Sequence, residues 1–304
     1  MLKSEIRKDY LLDKYVIITP GRALRPRDVE EQTIISRVAD CPFCPEKINQ
    51  KNIVDQIDAP EGKITSVKNI FPAVTLDNNQ AYGAQEVIVE TPDHQKELHD
   101  LSAEQIENLL RMYAKRTDGL SKVKNIEYIL CFKNQGSKAG ASIIHAHSQI
   151  FATDIIPPDI REELKVSYDY QLANKTCAYC DIIKKEMASP RAIYEDKFIA
   201  CFAPYASQYH YESWIFTKRH LDNITKFNND EFAACAKILK KILLKLSQLN
   251  LSFNYFLHQV ISDSNQHFYI KIQPRDSVWA GVELGSGLVI NSIAPEEAAK
   301  FLKN

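Results

Sequence analysis

What most narrows the folds open to this chain is an ordered set of thiols and imidazoles that occurs twice. Cys41-Pro42-Phe43-Cys44 is followed by His94 and His145, and Cys177-Ala178-Tyr179-Cys180 by His220 and His267. In both sets the two histidines lie about fifty residues apart, and the elements between them recur in one order. The first half has a strand over 86–90 that ends just before His94. A helix opened by Ser102 follows, with Ile106, Leu109, Leu110 and Tyr113 on one face, and it fades before Gly119. Then come an alternating strand through Ile126, Tyr128, Leu130 and Phe132, a polar Gly-containing loop over 134–142, and an apolar run over 143–151. The second half repeats this with a strand at 214–217 leading to His220, an Asn-led helix carrying Phe232, Cys235, Ile238, Ile242 and Leu246, a strand around Tyr255 and Leu257, a polar loop at 262–266 and a strand from His267 to Ile272. The reading is an internal duplication, with the boundary at Pro157-Pro158-Asp159 and the charged stretch after it, giving units 1–160 and 161–304.

Two cysteines and two histidines fill a tetrahedral shell with no open position, the mark of a structural zinc site. Cys41, Cys44, His94 and His145 make one such set, and Cys177, Cys180, His220 and His267 the other. The residues after Met1 run into charge instead of an apolar signal core, so Cys-x-x-Cys pairs in this chain read as metal ligands, not disulfides, and the expected location is the cytoplasm. A net charge of −1 without a basic block argues against non-specific nucleic-acid binding. No apolar run approaches the ~20 residues of a membrane span.

The run Ile143-Ile144-His145-Ala146-His147-Ser148-Gln149-Ile150-Phe151 reads as a strand, and residues two apart on a strand share a face. His145, His147 and Gln149 are therefore expected in one row. Such a pair of histidines, met alone, is most simply a satisfied core pair, but aligning the halves separates the two. If His145 corresponds to the ligand His267, then His147 corresponds to Tyr269 and Gln149 to Lys271. The duplication leaves His147 unexplained as scaffolding. A neutral imidazole whose other nitrogen donates to a fixed acceptor can attack phosphorus, and an amide two residues on can donate to phosphoryl oxygens. The arginines of loop 21–27 fit a phosphate clamp, and the glycines of loop 134–142 would let backbone amides approach an anion. His99, His210 and His258 acquire no role from the sequence.

These motifs resemble the galactose-1-phosphate uridylyltransferase family, a branch of the histidine triad superfamily. The resemblance covers Arg7-Lys8-Asp9, Arg22-Ala23-Leu24-Arg25-Pro26, Cys41-Pro42-Phe43-Cys44, Asn69-Ile70-Phe71-Pro72-Ala73, Thr91-Pro92-Asp93-His94, Phe132-Lys133-Asn134 and His145-Ala146-His147-Ser148-Gln149. It implies an α+β fold of two tandem histidine-triad-like modules, with antiparallel sheets and packed helices. It further implies a nucleophilic His147 and a zinc-bound His145, with Arg22, Arg25, Asn134, Ser142 and Gln149 on phosphates, Asn69 by the nucleoside, and Glu283 on sugar hydroxyls. The implied enzyme is a nucleotidyltransferase of galactose or related carbohydrate metabolism, passing a nucleoside monophosphate between a nucleotide sugar and a sugar 1-phosphate, and commonly a homodimer. Ile143, Ile144 and Ala146 replace the family's Asn-Pro before the motif and Pro within it. The stretch 279–287 and the second Cys-x-x-Cys resemble the branch containing ADP-glucose phosphorylase, so an ADP-sugar phosphorylase using inorganic phosphate is the alternative. A non-catalytic nucleotide-sugar binding protein is a further one, against which an intact His147–Gln149 pair argues. A histidine triad hydrolase would need histidine where Gln149 stands.

Overall fold

The computed structural model describes residues 4–20, 41–263 and 265–304. In chain order, a short hairpin (β1, Glu5–Lys8; β2, Tyr15–Ile18) precedes strands β3 (Ile53–Ile57), β4 (Ile64–Lys68) and β5 (Gly83–Val89), helix α1 (Ala103–Ser121), and strands β6 (Tyr128–Gln135) and β7 (His147–Thr153). Helices α2 (Pro158–Asn174) and α3 (Ala178–Met187) lead to β8 (Ala192–Glu195), β9 (Ile199–Phe202), β10 (Ser213–Thr217), α4 (Asn229–Gln248), β11 (Phe253–His258) and β12 (Tyr269–Pro274). The chain closes with α5 (Gly281–Ser286), β13 (Val289–Asn291) and α6 (Pro295–Lys303).

Both repeats lie in one sheet. Its order is β3-β4-β5-β7-β6-β11-β12-β10-β9-β8, antiparallel throughout, and it reads the same from either end once β6 is matched with β11, β7 with β12 and β5 with β10. The β6–β11 ladder is the seam between halves. A second, three-stranded sheet joins β1 and β2 to β13 from the far end of the chain.

One face of the large sheet is covered by α1 and α4, which also pack on each other. Ile106, Leu110 and Met112 of α1, Ile238, Leu239 and Ile242 of α4, and Ile88, Ile150, Ile215 and Ile270 of the strands share a single apolar core. Burial of this apolar surface is what holds the helices on the sheet. The helix starts follow from local chemistry. Asn228 accepts from Glu231 N while the Glu231 side chain accepts from Asn228 N, a complete capping box. Ser102 Oγ accepts from Gln105 N at 3.1 Å, but the Gln105 side chain turns inward, accepting from Glu61 N and donating to Glu90 O at 2.9 Å.

The structure adds detail to three stretches. Helix α1 runs through Gly119 to Ser121, because its buried face continues to Leu120. The charged stretch after Pro157 is helix α2 itself, with Pro158 at its first turn, where a missing N–H costs nothing. Strand β7 begins at His147 and β12 at Tyr269, so His145 and His267 each stand two residues ahead of their strand, turned out of the ladder by the contacts described below. No helix among the described residues is long and apolar enough to cross a membrane.

Candidate active site

The sequence-predicted ligands come together as two four-residue clusters. In each, all four ligand atoms lie within 4.8 Å of one another. His145 Nδ1 faces Cys41 Sγ at 3.6 Å and Cys44 Sγ at 3.8 Å, and His94 Nδ1 faces Cys44 Sγ at 3.5 Å. In the second cluster His220 and His267 present Nδ1 to Cys180 Sγ at 3.5 and 3.6 Å. The outer nitrogens match as well. His145 Nε2 donates to Thr91 O at 2.8 Å and His267 Nε2 to Thr217 O at 2.8 Å, both acceptors three residues before the set's other histidine. A carbonyl fixes the proton on Nε2 and leaves an Nδ1 lone pair aimed among the thiols, the tautomer a metal ligand needs. Both clusters can hold a metal ion.

The first cluster also builds its surroundings. The turn that places Cys41 and Cys44 carries Phe43 between them, and the Phe43 ring lies 4.8 Å from that of His147. His147 opens β7, and its Nδ1 donates to His145 O at 2.8 Å. Since the carbonyl can only accept, the proton is on Nδ1 and the Nε2 lone pair is available for chemistry. Burial, and then the Lys133 charge, push the His147 imidazole down to about 4, so it is neutral near pH 7.

Gln149 is oriented by a similar chain of one-way donors. Ala73 N must donate, so the Gln85 atom it meets at 3.0 Å is Oε1; Gln85 Nε2 then donates to Gln149 Oε1 at 3.0 Å. The Gln149 NH₂ is left facing outward as a donor. Ser148, between His147 and Gln149, points to the helix side, where its hydroxyl accepts from Tyr113 at 2.7 Å.

His147 sits where two cavities meet. One, of about 420 Å³, is lined by Phe43, Asn69, Phe71, Val87, His147 and Gln149. The other, of about 590 Å³, is polar and is lined by Lys133, Asn134, the 136–138 loop, Ser142 and His147. Ser142 and Ile143 border both. The loop uses Gly136 and Gly140 at φ +82° and +84°, values that other residues adopt only at a cost. Behind it, Lys133 is buried, its Nζ donating to Glu90 Oε2 at 2.8 Å and to His147 O at 3.1 Å. Glu97, on the same cavity, is raised to about 7, chiefly by burial.

The structure thus brings His147, Gln149, Asn69, Asn134 and Ser142 together. Glu283 lies in α5, where its carboxylate accepts from Ala280 N at 2.9 Å, and it borders neither cavity. Arg22 and Arg25 lie outside the described residues.

A family profile described as the N-terminal domain of galactose-1-phosphate uridyl transferase matches residues 58–157, which hold His94, His145, His147 and Gln149. ADP-glucose phosphorylase of Arabidopsis thaliana is 30% identical over 98% of this chain and 92% of its own length. The chain belongs to the galactose-1-phosphate uridylyltransferase family. Galactose-1-phosphate uridylyltransferase of Thermotoga maritima is 28% identical over 98% of each chain. The crystal structure of the Arabidopsis ADP-glucose phosphorylase with bound ADP-glucose superposes with a TM-score of 0.86 at 29% identity, over 99% of both chains. These relatives are enzymes, so a member of this uridylyltransferase family is read as a nucleotidyltransferase in preference to a non-catalytic binding module. Phe43 and Lys133 lie inside the family motifs but take no role there, and Gln85 lies outside them. The place of Phe43 inside the first Cys-x-x-Cys and of Lys133 beside Asn134 pointed toward the site, while Gln85 carried no signal.

Proposed function

We propose that the chain transfers a nucleoside monophosphate between a nucleotide sugar and a sugar 1-phosphate through a covalent intermediate on His147. The observation that carries this reading is the free Nε2 lone pair of His147 at the junction of an apolar cavity and a polar one. The nucleoside occupies the first, by Asn69 and the aromatic rings, and the phosphates and sugar occupy the second. His147 Nε2 attacks the α-phosphorus, the P–N bond forms, the P–O bond to the sugar phosphate breaks, and sugar 1-phosphate departs. An oxygen of the acceptor phosphate then attacks the same phosphorus, the P–N bond breaks and neutral His147 returns. Gln149 donates to the α-phosphoryl oxygens, and Asn134, Ser142 and, by the family pattern, Arg22 and Arg25 hold the flanking phosphate. Splitting the transfer lets one phosphate subsite serve leaving group and acceptor in turn, which avoids crowding two anions around one phosphorus.

A second reading, phosphorolysis of an ADP-sugar with inorganic phosphate as acceptor, is favoured by the similarity to the Arabidopsis phosphorylase along nearly the whole chain. By the family pattern Glu283 reads sugar hydroxyls, delivered in a homodimer; the exposed Val278 and Leu284 flanking it support a contact there. The two Cys₂His₂ sets hold structural zinc, supported by ligand type and by the fixed tautomers. Residues 1–160 form the catalytic unit and 161–304 the degenerate one, in which Tyr269 takes the place of His147. Seven unpaired cysteines fit a reducing cytoplasm.

The test is incubation with UDP- and ADP-sugars labelled at the α-phosphate, without acceptor. An acid-labile label is expected on the peptide holding His147 and lost in a folded His147→Ala variant; full turnover by that variant would remove His147 from the role.

A further inference from the structure

Among the contacts between the two halves, one lies directly beside the polar cavity. Across the seam Asn254 of β11 stands opposite Asn134 of β6. Asn254 Nδ2 lies 2.8 Å from Ala139 O and 2.7 Å from Asn134 Oδ1. A main-chain carbonyl only accepts, so the Asn254 atom meeting Ala139 is the amide nitrogen. The second hydrogen of that nitrogen is aimed at Asn134, and only an oxygen can receive it. The Asn134 NH₂ is therefore turned away from the seam, on a residue that lines the polar cavity with Ser142 and His147.

We propose that Asn254 is a positioning residue that sets Asn134 as a hydrogen-bond donor to phosphoryl oxygens. The inference rests on the nucleotidyl-transfer reading for the identity of the anion. An asparagine with no neighbour to orient it presents its oxygen as readily as its nitrogen, and an anion accepts only the nitrogen end. Fixing the amide beforehand removes that choice from the cost of binding. The same contact on Ala139 O anchors the loop behind Gly136, which lies flush on the second half: a Cβ at Gly136 would stand 2.2 Å from Ser252 Oγ. The degenerate half thereby contributes to phosphate recognition through the orientation it imposes on Asn134.

The experiment is a double-mutant cycle in the full-length protein, with inorganic phosphate as the probe and side-chain amide resonances of ¹⁵N-labelled protein as the readout. N254D keeps the shape but only accepts, so Asn134 must reverse to donate to it and then offers oxygen to the anion. Phosphate affinity is expected to fall roughly tenfold in N254D, with N254A between it and the parent. The added negative charge acts whether or not Asn134 is present, so the N134A background separates the two effects: there N254D is expected to cost less than about threefold. Equal factors in both backgrounds, or unchanged affinity in both N254A and N254D, would overturn the assignment. Labelling of His147 in the parent protein is scored separately. Its absence would remove the transfer reading while the phosphate cycle still reports on Asn254.

Discussion

Replacing Lys133 by methionine isolates the energetics beneath the active strand. The ammonium is 1% exposed and its partner Glu90 is fully buried, with Nζ to Oε2 at 2.8 Å. Glu90 Oε1 has no hydrogen-bond partner, so Lys133 is the main compensation for that carboxylate, and Glu97 stands 3.9 Å from the same Nζ. Lys133→Met would leave the Glu90 carboxylate buried without a cation and would strip a donor from His147 O. Removing one member of a buried pair typically costs about 3–5 kcal/mol, which for a chain of this size is roughly 5–8 °C in Tm. Pairing it with Glu90→Gln removes the stranded charge as well, and the double variant should recover all but about 1–2 kcal/mol, the remainder being the His147 O bond and imperfect packing. Thermal and urea unfolding of the parent, both single variants and the double variant, at pH 7.5 with metal present, would measure the cycle. A Lys133→Met loss below about 1 kcal/mol, or a double variant no more stable than the worse single one, would refute the argument that the ion pair is a mutually dependent unit.

Acid stability should depend on Glu163. Burial would raise its carboxyl, but the charge of His258 outweighs that and holds it at about 2 against an ordinary 4.5. The lowered value contributes stability present above pH 4.5 and lost as pH falls toward 2, on the order of 3 kcal/mol, and Glu163→Gln should flatten Tm against pH across that interval. Cys44→Ser and Cys180→Ser should each reduce bound zinc from about two equivalents to one by elemental analysis, with loss of fold before any change in the chemistry of the intact site. Tyr113 and Tyr255 share a 2.6 Å hydroxyl contact across the seam. Each Tyr→Phe change should cost about 1 kcal/mol in urea unfolding, and the double change measurably less than the sum.

Much of this was legible in the sequence because metal ligands of one type in one order leave few alternatives. The two Cys₂His₂ sets, the strands around them and the singling out of His147 follow from spacing and from comparing the halves. The limits are equally physical. Periodicity cannot tell where a strand gives way to an extended approach, so His145 read as part of the His147 row, whereas its ring is drawn to Thr91 O and the thiols. Gln105 carried the signature of a capping box, but a buried backbone needed its amide more. Lys133 read as a strand residue because the demand for its charge comes from Glu90, 43 positions away. Glu283 came only through the family pattern, and within one chain it stands apart from the His147 cavities.

The continuous ten-stranded sheet sets a limit on dissecting the molecule. Were the chain cut near residue 160, β6 and β11 would each become a naked border, offering unpaired amides and carbonyls to any strand that arrives. The first half would also lose the wall on which its glycine loop rests. Two such fragments, produced together, should find one another through that border and rebuild the site by complementation; produced singly, they should associate with copies of themselves. On this account the two halves can be traced in the sequence, yet neither alone is expected to work.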